Sequence, residues 1–358
     1  MSNNNPPVPP VHYSASRYFS SWLADQNASL LATTYESGML FMIGVRPDGS
    51  LSCVDRAIAR CTGLAVDRDA IWVGTMFQMW RFQNTVAAGE QHRGFDGFYV
   101  PRVAWSTGDI DVHDVGIDRA GRPVFVNTSY SCLATVDEEQ SFTPLWKPSF
   151  ISQLKREDRC HLNGLAMVDG IATYVTSIAA SDVADGWRAL RRDGGLLLHV
   201  PTGETVASGL SMPHSPRWYK DKLWLHNSGT GEFGHVELDT GRFVPVAFCA
   251  GYLRGLSFID RFAVVGLSMG RDDAFGSLPL QSRLEEKGVM PRCAIQIIDL
   301  QNGDVVHEFR LRGEVRELYD TAVLPGVRVP GTIGYMSDEF LTRINFRDPD
   351  QESLADPA

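Results

Sequence analysis

Apolar and polar positions alternate with a period of two through most of the chain, and Asp- and Gly-bearing turns interrupt them. The clearest stretch, Val112–Val136, reads VHDVGIDRAGRPVFVNTSYSCLATV. It predicts a strand, a tight turn bracketed by Asp118 and Gly121, a second strand ending in Asn127-Thr128, a loop and a third strand. Gly121 supplies the positive φ that other residues resist in such a turn. The same order returns in Thr62–Thr75, Asn163–Ser177, His214–Ser228 and Arg254–Ser268. Glu317–Gly326 reads as a lone first strand, while Leu30–Tyr35, Met39–Val45 and Leu51–Asp55 read as three later strands lacking one. Helical spacing is best developed at Ser16–Asp25, where Tyr18, Phe19, Trp22 and Leu23 cluster, with a shorter candidate at Ser282–Lys287.

Copies recur at intervals of about 40–60 residues, the range of propeller blades. The expectation is an all-β fold, a six-bladed β-propeller closed by N- and C-terminal strands. Seven blades is the alternative, with Thr332–Phe346 supplying part of another. Residues 1–15 read as a disordered arm, 16–346 as a single propeller domain and 347–358 as a tail.

Composition narrows the function. The 358 residues are 44% hydrophobic, ample for a core, and carry a net charge of -10. That balance argues against nucleic-acid binding, which needs clustered Lys and Arg. No apolar run is long enough to span a bilayer, so no membrane partner is expected. The first residues lack the basic and apolar segments of a signal peptide, and a cytoplasmic location is expected. Six Cys occur without a CxxC pair, and they read as buried free thiols rather than disulfides.

In a propeller the first strand of each blade lines the central channel. Aligning the copies puts Thr62, His113, Asn163, His214 and Arg254 at the entry to successive first strands, with His161 two residues before Asn163. The last strand offers Glu317, Tyr319 and Asp320. Two insertions follow second strands, Ile178–Gly195 and the stretch from Met269 to Arg292, so both should overhang the same mouth. They bring Trp187, Arg188, Arg191 and Arg192, and Arg271, Asp272 and Asp273. The Lys155–Arg159 run reads as a solvated loop face.

His113, His161 and His214 are candidate ligands for a divalent metal, zinc among them, leaving one position for water or substrate. Arg254, Glu317, Tyr319 and Asp320 are candidate catalytic groups: Arg254 for negative charge, Tyr319 as proton donor, the acids as base or fourth ligand. Asn163, Trp187, Arg191 and Arg271 are candidate substrate-binding residues. The expected function is a metal-assisted lyase, hydrolase or isomerase acting on a small polar or peptide substrate at the channel mouth. The alternatives are a metal-free polar channel using His as acid and base, a non-catalytic scaffold for a protein or peptide partner, and a sugar- or lactone-binding propeller with Ca²⁺ on oxygen ligands.

HDVGIDRAGRPVFVNT, starting at His113, is similar to the blade pattern of NHL-type propellers such as the peptidyl-hydroxyglycine lyase domain. That resemblance implies zinc on His113, His161 and His214, with Arg254 and Tyr319 assisting, although Asn127 stands where that family has an Asp. TTYESGMLFMIG at Thr33–Gly44, CHLNGLA at Cys160–Ala166, MPHSPRW at Met212–Trp218 and ELYDTAVLPG at Glu317–Gly326 resemble a bacterial family of propeller-like proteins defined as a domain of unknown function. This second resemblance spans most of residues 16–330 and implies the fold without an activity.

Overall fold

The computed structural model describes residues 11–270, 278–334 and 338–346. It is all-β, 49% strand and 8% helix, with six blades in a ring. The innermost strands are Thr321–Pro325, Leu64–Asp67, Val112–Ile117, Leu162–Val168, Pro213–Tyr219 and Tyr252–Ile259, numbered here as blades 1 to 6. Blade 1 combines the two ends of the ring: Ala28–Thr33 pairs antiparallel with Thr321–Pro325, so the late strand becomes its innermost member. The lone first strand and the three later strands of the sequence are this one blade.

Each blade's sheet is buried on both faces, so alternate side chains of one strand feed two different cores. Val124 and Val126 pack toward blade 4, whereas Phe125 between them packs toward blade 2. The result is a separate apolar wedge at every blade junction. Helix Phe19–Asp25 buries Phe19, Trp22 and Leu23 in the wedge between blades 6 and 1, covering the closing junction. Tyr18 faces solvent instead, at the left-handed residue that starts this helix.

Two edge strands correct the sequence reading. His12–Ala15 is not part of a disordered arm, because it pairs with Phe309–Arg312 as the outermost strand of blade 6. Pro330–Thr332 forms no seventh blade and pairs parallel with the outer strand of blade 2. Glu339–Thr342 is a short helix. Both added strands cover open sheet edges, which otherwise invite intermolecular pairing. The tail 347–358 lies outside the described residues. All six cysteines are unpaired, and burial raises the thiol pKa of Cys61, Cys160 and Cys249 to about 12. Among the described residues no helix is long and apolar enough to cross a membrane.

The channel is plugged on its axis. One position of the six inner strands reads, in order from blade 1, Asp320, Gly63, Asp114, Gly164, Ser215 and Gly255. Each side-chain-bearing member reaches the next blade. Asp320 accepts from Leu64 N at 2.9 Å, Asp114 from Leu165 N at 2.9 Å, and Ser215 Oγ from Gly255 N at 3.0 Å. The intervening positions must be small. A Cβ on Gly164 would lie 2.3 Å from Pro216 Cδ, and one on Gly255, at φ +78°, 2.5 Å from Thr321 N. Gly255→Ala should therefore lower stability by about 1–3 kcal/mol, read as a fall in urea midpoint at unchanged m-value.

Arg217 ties this ring together. It donates to both Asp114 oxygens at 2.7 and 3.0 Å and to the carbonyls of Leu165 and Leu256 at 3.0 Å each, and it lies 3.5 Å from Asp320. Through Asp320 and Leu64 the network touches all six blades. Burial works against the Arg217 charge, but the two carboxylates raise its pKa further. Asp320 goes the other way, pushed up to about 7 by burial and by Asp114 against the pull of Arg217.

Candidate functional site

One residue before the plug, toward the mouth, the six strands supply Tyr319, Thr62, His113, Asn163, His214 and Arg254. All are buried except Arg254, which is half-buried. The aligned first strands do bring these side chains to one mouth. Asp320 does not join them, because it belongs to the axial plug.

The imidazoles are fixed through the same nitrogen. His113 Nδ1 lies 2.8 Å from Thr128 Oγ1 and 3.1 Å from the Asp111 carbonyl. Thr128 itself donates to the Leu162 carbonyl at 2.6 Å, so it accepts from His113. His214 Nδ1 donates to the Met212 carbonyl at 2.8 Å, and His161 Nδ1 to Asp158 Oδ2 at 2.8 Å. Acceptors on all three Nδ1 atoms leave each Nε2 as the basic nitrogen. His214 Nε2 faces the Asn163 amide at 3.5 Å, while Asn163 Oδ1 accepts from Thr176 at 2.6 Å. Asn163 thus holds an imidazole in place.

His113 and His161 meet edge to face with centroids 4.8 Å apart, and Trp187 stacks on His161 at 4.0 Å. Trp187 Nε1 also donates to Asp158 Oδ2 at 2.9 Å. Burial would raise the Asp158 pKa, but the hydrogen bonds from His161 and Trp187 hold it below the usual carboxylate range. Asp158 and His161 both adopt left-handed backbone, with φ of 42° and 49°. Asp158 is the partner that the sequence reading missed in the Lys155–Arg159 run. Its signal was an acid three residues before an aligned histidine. Arg159 of the same run is also buried, paired with Glu157 at 2.7 Å and Asp182 at 2.6 Å, so the run is solvated at Lys155 and Arg156 and turns inward at Asp158 and Arg159.

Positive charge enters from Arg254. Its guanidinium lies 4.9 Å from the Tyr319 ring centre and 5.4 Å from that of Tyr252. Burial opposes its charge, but Tyr319, Tyr252, Glu317 and Asp111 leave its pKa raised. Burial, aided by Arg254, depresses the His113 pKa to about 4 and that of His214 well below its ordinary value. Both stay neutral near pH 7. Burial pushes the Tyr319 phenol well above 10, so it remains a donor.

The two insertions roof this mouth. Trp187, on the short 3₁₀ turn Gly186–Leu190, packs with Met212, Tyr252, Leu278 and, from helix Pro279–Glu286, Leu280 and Leu284. Beneath them lies a cavity of about 220 Å³ whose lining includes Trp187, Arg191, Met212, Tyr252, Arg254 and Glu317. Glu317 also accepts from the Glu36 backbone N–H at 2.8 Å. Arg271, with Asp272 and Asp273, lies outside the described residues. Among the described residues no group of three or more His, Cys, Asp or Glu side chains is placed to hold a metal ion.

These features define a six-bladed β-propeller with a roofed pocket, part charged and part apolar, over a plugged axis. The chain belongs to the family described as Domain of unknown function (DUF4915), whose model matches residues 17–333. Its fold is similar to a chain of the nidogen/laminin complex, with TM-score 0.55 and 11% identity over 84% of this chain and 99% of that one. A protein of unknown function from Bacteroides caccae gives TM-score 0.49 and 12% identity over 83% and 98%. Virginiamycin B lyase from Staphylococcus aureus gives TM-score 0.40 and 9% identity over 72% and 96%. At these identities the likeness concerns architecture alone. No curated protein matches the chain in sequence.

Proposed function

We propose that this protein is an enzyme that transfers protons on a small polar substrate in the mouth pocket, in a lyase- or isomerase-type reaction. His161, oriented by Asp158, acts as general base through Nε2, and Tyr319 as general acid. The observation that carries this reading is the Asp158–His161 pair. It is fixed at 2.8 Å by two residues held in a backbone conformation that costs about 1–3 kcal/mol each. The acceptor on Nδ1 sets the tautomer and stabilises the imidazolium formed when Nε2 takes a proton. Trp187 covers the pair and limits access of water.

The test is a panel of substrates for elimination and isomerisation next to a carbonyl, run on wild type and His161→Gln. Turnover that falls by about 10²–10⁴ in the variant, with its melting temperature kept, supports the assignment. Turnover that survives the substitution overturns it.

A divalent ion is a second reading, favoured by one observation: an outer partner on each Nδ1 is the arrangement that metal-binding imidazoles adopt. The residues as arranged fit an ion poorly. Arg254 adds positive charge beside His113 and His214, and the Asn163 amide faces His214 Nε2. Elemental analysis of purified protein should find less than a tenth of an equivalent of metal. A stoichiometric ion lost in His113→Ala would favour the second reading.

A further inference from the structure

We propose that the mouth pocket selects a small monocarboxylate with an apolar body, its carboxylate paired with Arg254. This inference rests on the reading of the mouth as a substrate site and names the class of compound it takes.

The argument starts from how this fold treats charge that it takes out of water. A desolvated guanidinium is costly unless carboxylates compensate it. Arg217 has Asp114 and Asp320, and Arg159 has Glu157 and Asp182. Arg254 makes no ion pair within 4 Å among the described residues: Glu317 and Asp111 act on it only from farther away, two aromatic rings enclose it, and its Nε is buried without a hydrogen-bond partner. The Tyr319 hydroxyl, beside it, is likewise buried without a partner. Arg254, which lines the pocket, and the Tyr319 hydroxyl behind it are therefore two donors that lack acceptors. An anion completes them, and a planar carboxylate matches the two-pronged face of a guanidinium.

The remaining lining sets charge and size. Arg188 already pairs with Asp185 at 3.0 Å, and Glu317 adds a carboxylate to the wall. With Arg188 paired, Arg191 and Arg254 against Glu317 leave one net positive charge in the lining, enough for one negative group and too little for a phosphate dianion. Met212, Tyr252, Met269 and Leu278 form an apolar side. A cavity of about 220 Å³ lies below the roughly 300–1,000 Å³ of drug-sized ligand sites, so the ligand is small.

The experiment is calorimetric titration of the full chain with 3-phenylpropionate, hexanoate, their uncharged amides and inorganic phosphate. Both acids should bind at least tenfold more tightly than their amides, and Arg254→Gln should erase that preference. If Arg254→Gln does not fold, the acid-to-amide ratio on wild type decides alone. Equal binding of acid and amide, binding of phosphate in place of the acids, or no binding of either acid overturns the proposal. His161→Gln should keep the acid preference. Turnover that depends on His161 but shows no acid preference would overturn the carboxylate assignment and leave the proton-transfer reading standing.

Discussion

Arg217→Met should destabilise the protein by about 3–5 kcal/mol, the cost of breaking a desolvated ion pair from one side. The substitution leaves Asp114 and Asp320 facing each other on the axis with backbone N–H donors and no cation. Arg217→Lys should recover little, because one ammonium cannot reach Asp114 and the carbonyls of Leu165 and Leu256 at once. The double variant Arg217→Met/Asp114→Asn should be more stable than Arg217→Met alone, since it removes one of the stranded charges. Urea unfolding of the three variants measures this. A loss below about 1 kcal/mol in Arg217→Met would show that the axial network contributes little.

The second large effect is acid sensitivity. His226 is fully buried and its Nε2 donates to the Gly255 carbonyl at 3.0 Å, so the ring is neutral. Burial, opposed by that bond and aided by Arg217, lowers its pKa to about 3. In the unfolded chain the same group takes a proton near pH 6.5. Below that pH the unfolded state holds a proton that the folded state refuses. Stability is therefore fully present above about pH 6.5 and is lost as pH falls toward 3. The loss is on the order of 4 kcal/mol for this residue. His113 and His214 add losses of the same sign. His226→Gln should be less stable than wild type at pH 7.5, yet lose less between pH 6.5 and 4.5. Parallel urea midpoints across that range would contradict the assignment.

The architecture was readable because five of the six blades repeat the Asp-bearing turn between their first two strands, and because period-two alternation locates strands without knowledge of their neighbours. Alignment of the copies also brought His113, Asn163, His214 and Arg254 to one mouth, since equivalent positions in equivalent blades must ring one axis. What stayed hidden depends on contacts between blades. The alternation of Asp or Ser with Gly at the plug is a pattern across six segments rather than along one. It follows from how closely neighbouring inner strands approach, so Asp320 passed for a catalytic acid. Asp158 was overlooked because its charged neighbours look solvated, and only the fold of the loop over Ser129 turns it inward. Asn163 was read as meeting substrate, whereas Thr176 and His214 already occupy its amide.

Closure of blade 1 bears on synthesis as well as on shape. Glu317 and Tyr319 lie just ahead of Thr321–Pro325, the strand that seals the ring against Ala28–Thr33. A chain synthesised only as far as Arg316 contains every strand of blades 2 to 6 except the late edge strand Pro330–Thr332, together with both insertions, but it lacks both the phenol and the last wall of the pocket. The last wall of the pocket and the strand that closes the ring thus come from one short stretch of the chain. A product ending before this strand would leave Ala28–Thr33 as an open sheet edge.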